Sequence, residues 1–114
     1  MSRTRMRRVD VAMRQVLGDA LAQDLKDPRI GFVTVTDVKT STDLRHARVY
    51  VSVLGTAPEQ EATLDGLRSA HGFLQGRVAG ELRLKRTPEL TFELDHTAEE
   101  AARLERLIEE AGGA

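Results

Sequence analysis

Four arginines fall within six residues near the start of the chain: Arg3, Arg5, Arg7 and Arg8. Guanidinium forks bind phosphate oxygens bidentately and stay charged at any working pH, so this spacing suits capture of a polyanion. Taken alone, it equally suits a solvated terminus. Other cations extend the set. Lys39 and Arg45 stand near a turn, His46 and Arg48 on the strand after it, and Arg77, Lys85 and Arg86 further on. The net charge of −1 hides a division along the chain. Residues 1–86 hold fifteen Lys and Arg against ten Asp and Glu, whereas residues 87–114 hold two against eight. A basic surface for a polyanion and an acidic end that avoids it would produce such a split, although two ordinary solvated faces would too.

Bond-breaking chemistry is poorly supplied. With no cysteine there is no thiolate metal site, disulfide or Cys nucleophile. His46, His71 and His96 lack the short or i, i+4 spacing of metal ligands, so no metal is expected. The glycines at 72, 76 and 80 fit neither a phosphate-cradling loop nor a dinucleotide fingerprint. Asp43 reads as a turn cap, and nothing supplies a partner for Asp37. The sequence therefore argues for a binding module with no cofactor, and against an enzyme.

The elements that must carry these residues are well patterned. From Met6 an apolar stripe continues through Val9, Met13, Val16, Leu17, Ala20, Leu21 and Leu25, the spacing of a helix facing a core, with Asp10 and Arg14 as a supporting surface pair. Asp27-Pro28 ends it. Residues 27–54 then read as a two-stranded hairpin. Val33 and Val35 alternate with Thr34 and Thr36, and Ala47, Val49, Val51 and Val53 alternate with His46, Arg48, Tyr50 and Ser52. Such alternation predicts one buried and one wet sheet face.

After a loop at residues 55–58, a helical pattern extends to Leu82, with a bend expected at Ala70-His71-Gly72. Gly72, Gly76 and Gly80 share one stripe, which suggests close backbone approach to the sheet or another helix. A basic linker, 84–88, leads to a third strand with Leu90, Phe92 and Leu94 inward. A helical crossover should place it parallel to the second strand. Thr97 and Glu100 suggest a capping box for a last amphipathic helix carrying Leu104, Leu107 and Ile108. No apolar run approaches the ~20 residues of a membrane span, and no signal-peptide core follows the basic start, so a cytoplasmic location and no membrane partner are expected. Tyr50 is the one aromatic on the wet face, which favours backbone and shape recognition of RNA over base stacking.

Four stretches, KDPRI (26–30), VTVTDVKTSTDLRHARVYVSVLG (33–55), SAHGFLQ (69–75) and LRLKRTPELTFELD (82–95), together resemble the ribosome-binding factor A family. The resemblance implies an α+β, type II KH-like fold. Its order is helix-strand-strand-helix-kink-helix-strand, with a three-stranded mixed sheet, helices on one face, and a short C-terminal helix added. Residues 1–95 would form the RNA-binding domain with its basic arm, and 96–114 an acidic tail. In this family an Ala-x-Gly bend, here Ala70-His71-Gly72, replaces the usual Gly-x-x-Gly loop. The resemblance further implies a non-catalytic assembly factor, associated with growth in the cold. Its expected partner is the 16S rRNA of the free 30S ribosomal subunit, during late maturation and pre-rRNA processing.

On this reading the RNA-contacting residues are Arg3, Arg5, Arg7, Arg8, Lys39, Arg45, His46, Arg48, Arg77, Lys85 and Arg86. Gly72 would set the bend, so that a bulky replacement harms folding and binding together. A monomer is expected. The competing reading is a protein-interaction module that docks through its acidic last helix.

Overall fold

The computed structural model describes residues 3–23 and 27–112, with only the backbone of Arg3. The order is α1 (Arg3–Gln23), β1 (Val33–Thr40), β2 (His46–Val53), α2 (Ala57–Ser69), α3 (His71–Leu82), β3 (Glu89–Leu94) and α4 (Thr97–Gly112). The sheet runs β1-β2-β3, with β1 antiparallel and β3 parallel to the central β2. This is the α+β, KH-like arrangement expected from the sequence. The arginine-rich start is already helical. Leu25, the last residue of the expected stripe, lies outside the described residues, as does the side chain of Arg3.

The dry face follows from the pattern. Ala47, Val49 and Val51 of β2 are fully buried, and Leu90 and Phe92 of β3 nearly so. They pack with Met13, Leu17 and Ala20 of α1, Leu64 and Leu67 of α2, and Leu74 and Val78 of α3. Each fully buried aliphatic side chain contributes about 1.5–3 kcal/mol, so this single cluster carries most of the hydrophobic stabilisation.

The hairpin departs from simple alternation. The pairing slips between Val35 and Asp37, leaving Thr36 as a bulge residue, so Val38 and Thr40 become the inward positions. A bulge inserts one unpaired residue and inverts the face of everything after it. Asp10, expected to pair with Arg14, turns to the sheet instead. Its Oδ1 accepts from the Thr40 amide at 3.0 Å and the Thr40 hydroxyl at 2.5 Å. The buried hydroxyl at the end of β1 thereby gains a partner from α1.

α2 opens on a full capping box that the sequence reading missed: the Thr56 side chain accepts from the Glu59 amide, and the Glu59 carboxylate accepts from the Thr56 amide. The break between α2 and α3 falls at Ala70, whose φ of −88° and ψ of 8° leave the helical region. Gly72 already lies inside α3. The expected role of the glycine stripe is also overturned, because a Cβ placed at Gly72, Gly76 or Gly80 would meet nothing within 4 Å. The close approach is at Gly66, where a Cβ would come within 2.7 Å of Ile30 Cγ1. Ile30 and its loop rest on α2 at that glycine.

At the other end of the sheet, the Asp95 amide donates to the Val51 carbonyl at 2.8 Å, and its Oδ2 accepts from the Thr36 hydroxyl at 2.6 Å. Oδ1 accepts from the Thr97 amide at 2.9 Å. The Asp95 side chain, two residues ahead of α4, thus satisfies the helix's first amide, and Thr97, expected to be the cap, is the first helical residue. The Thr36 hydroxyl, helped by Thr97, lowers the Asp95 pKa from its ordinary 3.8 to about 2.

This packing has measurable consequences. Gly72→Ala and Gly76→Ala should each raise stability in urea by a few tenths to about 1 kcal/mol, because alanine is the better helix former and the space is open. Gly66→Ala should lower it by about 1–3 kcal/mol through overpacking against Ile30. A lowered folded-state pKa stabilises the fold above the unfolded value and loses that contribution as pH falls through the folded one. The deficit of Thr36→Val relative to the parent, measured by urea midpoint, should therefore hold above about pH 4 and shrink towards pH 2.

Candidate nucleic-acid interface

Three separate segments supply one basic cleft. α1 contributes Arg5 and Val9, the β1–β2 turn contributes Asp43, Leu44 and Arg45, and the α3–β3 linker contributes Arg83, Leu84, Lys85 and Arg86. The cleft has a volume of about 790 Å³. Five cations line it against a single carboxylate. Leu44, Leu84 and Val9 are half-buried and form its apolar floor.

The turn is held rigidly by its own side chains. Ser41 Oγ donates to Asp43 Oδ1 at 2.6 Å, the same oxygen accepts from the Arg45 amide at 3.0 Å, and the His46 amide donates to Ser41 Oγ at 3.1 Å. Asp43 is committed to this turn, as the sequence reading expected, and these bonds hold its carboxyl below the usual range, with the Ser41 hydroxyl the leading cause. The Glu89 amide donates to the Arg45 carbonyl at 2.8 Å and so ties the linker to the turn. Gln75 secures the linker from behind: its Nε2 donates to the Pro88 carbonyl at 2.6 Å and its Oε1 accepts from the Leu90 amide at 3.2 Å.

Two non-glycine residues in the described structure have positive φ, Leu44 at 59° and Arg83 at 48°. Both line this cleft. Left-handed backbone at ordinary residues costs roughly 1–3 kcal/mol each and persists where surrounding structure enforces it, often at functional positions.

The other nominated residues are distributed elsewhere. Lys39, His46 and Arg48 lie on the open sheet face. There Lys39 Nζ sits 5.6 Å from the centre of the Tyr50 ring. Arg48 is held charged chiefly by Tyr50 and by the nearby Glu93. His46 stands opposite Glu89 in the pairing. With Asp37, Glu89 and Glu93 on the same face, carboxylates outnumber the lysine and the arginine there. Arg7 and Arg8 are exposed on the outer side of α1. Arg77 pairs with Glu81 at 3.0 Å. His71, beside the Ala70 break, lines a smaller groove of about 340 Å³ with Arg68 and residues 90–93 of β3.

Of the residues nominated from the sequence, the structure therefore brings together Arg5, Arg45, Lys85 and Arg86. Arg83, Leu44 and Gln75 were missed. Arg83 adjoins the basic linker by one position, which was the available signal. Nothing in the sequence marks it or Leu44 as left-handed. Among the described residues, no group of three His, Cys, Asp or Glu could hold a metal ion. Nor is any helix among them long and apolar enough to cross a membrane.

The fold recurs in known proteins. A crystal structure of ribosome-binding factor A from Thermus thermophilus is 28% identical, with a TM-score of 0.69 over 78% of this chain and 94% of that one. A solution structure of a Thermotoga maritima protein, described as a candidate ribosome binding factor A, is 39% identical. Its TM-score is 0.73 over 82% of this chain and 89% of that one. Coordinates of the Thermus thermophilus factor fitted into a cryo-EM map of a 30S complex are 29% identical, with a TM-score of 0.64 over 75% and 90% of the two chains. The family model for ribosome-binding factor A matches residues 5–108, and the chain belongs to that family.

Proposed function

We propose that this protein is a non-catalytic assembly factor that binds the 16S rRNA of the free 30S subunit in the cytoplasm, during late maturation and pre-rRNA processing. The observation that carries the reading is the convergence of Arg5, Arg45, Arg83, Lys85 and Arg86 on one cleft whose single acid is engaged in its own turn. Support also comes from the related Thermus thermophilus factor, placed in a 30S complex. One copy acts on one subunit. The five cations hold phosphates, and the turn and linker present them as a fixed set. Arg7 and Arg8 on α1 extend the contact along the backbone. The sheet face, where carboxylates outnumber the permanent cations, contributes little.

Arg83→Gly isolates the charge contribution from the fold, since glycine accepts the left-handed conformation more readily than arginine. The variant should be as stable as the parent, yet bind 16S rRNA fragments more weakly. Its log affinity against log salt should fall less steeply by about one unit for the lost phosphate contact. In lysate gradients the parent should sediment with free small subunits and leave them as salt rises. Sedimentation at the top of the gradient, or binding indifferent to salt, would contradict the proposal.

A further inference from the structure

α4 is the one helix of the described structure with no buried residue. Leu104, Leu107 and Ile108 are 58%, 50% and 61% exposed and share one stripe. Glu105 and Glu109 flank it on one side, and Glu99, Arg103 and Glu110 on the other. Glu100 stands on the stripe side of the first turn, and Arg106 lies at the back. The helix thus carries five carboxylates against two arginines. Isolated helices of this length are marginal in water without a packed apolar face.

The acidic character continues where the helix leaves the sheet. A cavity of about 330 Å³ between the first turn of α4 and the open sheet face is edged by Asp37, Glu93, Asp95 and Glu100. Lys39 is its one permanent cation, and His96 at its rim contacts Glu99 at 3.2 Å. Asp95, bonded to both Val51 and Thr36, pins the start of α4 at the sheet. This acidic region and the basic cleft lie at opposite ends of β3. Glu89 is tied to Arg45 beside the cleft, and the strand has six residues, so its far end is ~20 Å away. The 16 residues of α4 extend about 24 Å further. One surface can fill the cleft while a different one covers the helix.

The flanks decide what covers the stripe. Phosphate repels them, so rRNA is the wrong surface, and a helix that lies on a membrane carries lysine and arginine on its polar face instead. An RNA particle also holds proteins, and a protein seated on RNA is basic because it neutralises phosphates. We infer that α4 docks on such a protein of the small subunit, laying Leu104, Leu107 and Ile108 into an apolar groove rimmed by lysine and arginine. The acidic cavity at the helix base receives a cationic side chain of the same partner. The inference rests on the proposed binding to the small subunit and adds to it a contact directed at protein. Two contacts on one particle act jointly, so α4 raises affinity for the assembled subunit without touching its RNA.

Binding of the full chain to intact free small subunits and to protein-free 16S rRNA, measured in parallel, tests this. Leu104→Gln with Ile108→Gln alters only exposed positions and no charge, so helical circular dichroism and rRNA affinity should match the parent. Affinity for subunits should fall by about tenfold or more. Glu105→Gln with Glu109→Gln should also weaken subunit binding, while rRNA binding holds or improves. With p-benzoylphenylalanine in place of Ala101, irradiation on subunits should give an adduct with a basic protein of the subunit. A Leu104/Ile108 variant that keeps the parent's subunit affinity overturns the inference, as does one whose rRNA affinity falls equally. So does an Ala101 adduct only with rRNA or with a second copy of this chain, or the absence of any adduct. A parent that binds neither subunits nor rRNA removes the proposed function, and the inference with it.

Discussion

The hydrogen bond from the Glu89 amide to the Arg45 carbonyl is where the fold becomes a site. It is the first rung of the parallel pairing between β2 and β3, and it also fixes the hairpin turn against the basic linker. Parallel pairing needs a long crossover, here α2 and α3, and the crossover's return is the linker that carries Arg83, Lys85 and Arg86. The cations are close together because the strand order demands it. Gln75 reinforces the same junction from α3, so the linker is held on both sides.

Concentrating positive charge has a cost in mutual repulsion, and the chain manages it by position. Several of its arginines have an acid close by: Arg29 has Asp27 at 2.7 Å, Arg77 has Glu81 at 3.0 Å, and Arg48 has Glu93 near it on the sheet face. In the cleft the one acid, Asp43, gives its Oδ1 to the Ser41 hydroxyl and the Arg45 amide. The left-handed backbone at Leu44 and Arg83 shows that the fold tolerates local strain to aim these segments. A surface built this way gains most from a ligand that brings several negative charges at fixed spacing, as a folded RNA backbone does.

Much of the architecture was legible in the sequence because it rests on periodicity. The alternation in residues 46–53 and 90–94 placed two strands, and the stripe from Met6 placed α1 against the core. What escaped depends on pairing partners. The bulge at Thr36 exists only relative to β2, and the attachment of Asp10 to Thr40 only once α1 lies on β1. The glycine stripe misled for a related reason, since spacing reveals a shared face but not whether anything covers it. The site was half legible. Type and local density nominated Arg5, Arg45, Lys85 and Arg86, but also equally charged residues that the fold neutralises or disperses. Arg83 joins the cleft through a backbone angle that side-chain type does not encode.

The most direct test of the basic cleft as the RNA-binding surface is crosslinking of the protein to rRNA on free small subunits, with the attachment points mapped residue by residue. Crosslinks are expected at Arg5, in the 43–45 turn and along 83–86, diminished together as salt rises. Crosslinks confined to α4 or to the open sheet face around Tyr50, with those three segments unmarked, would contradict it.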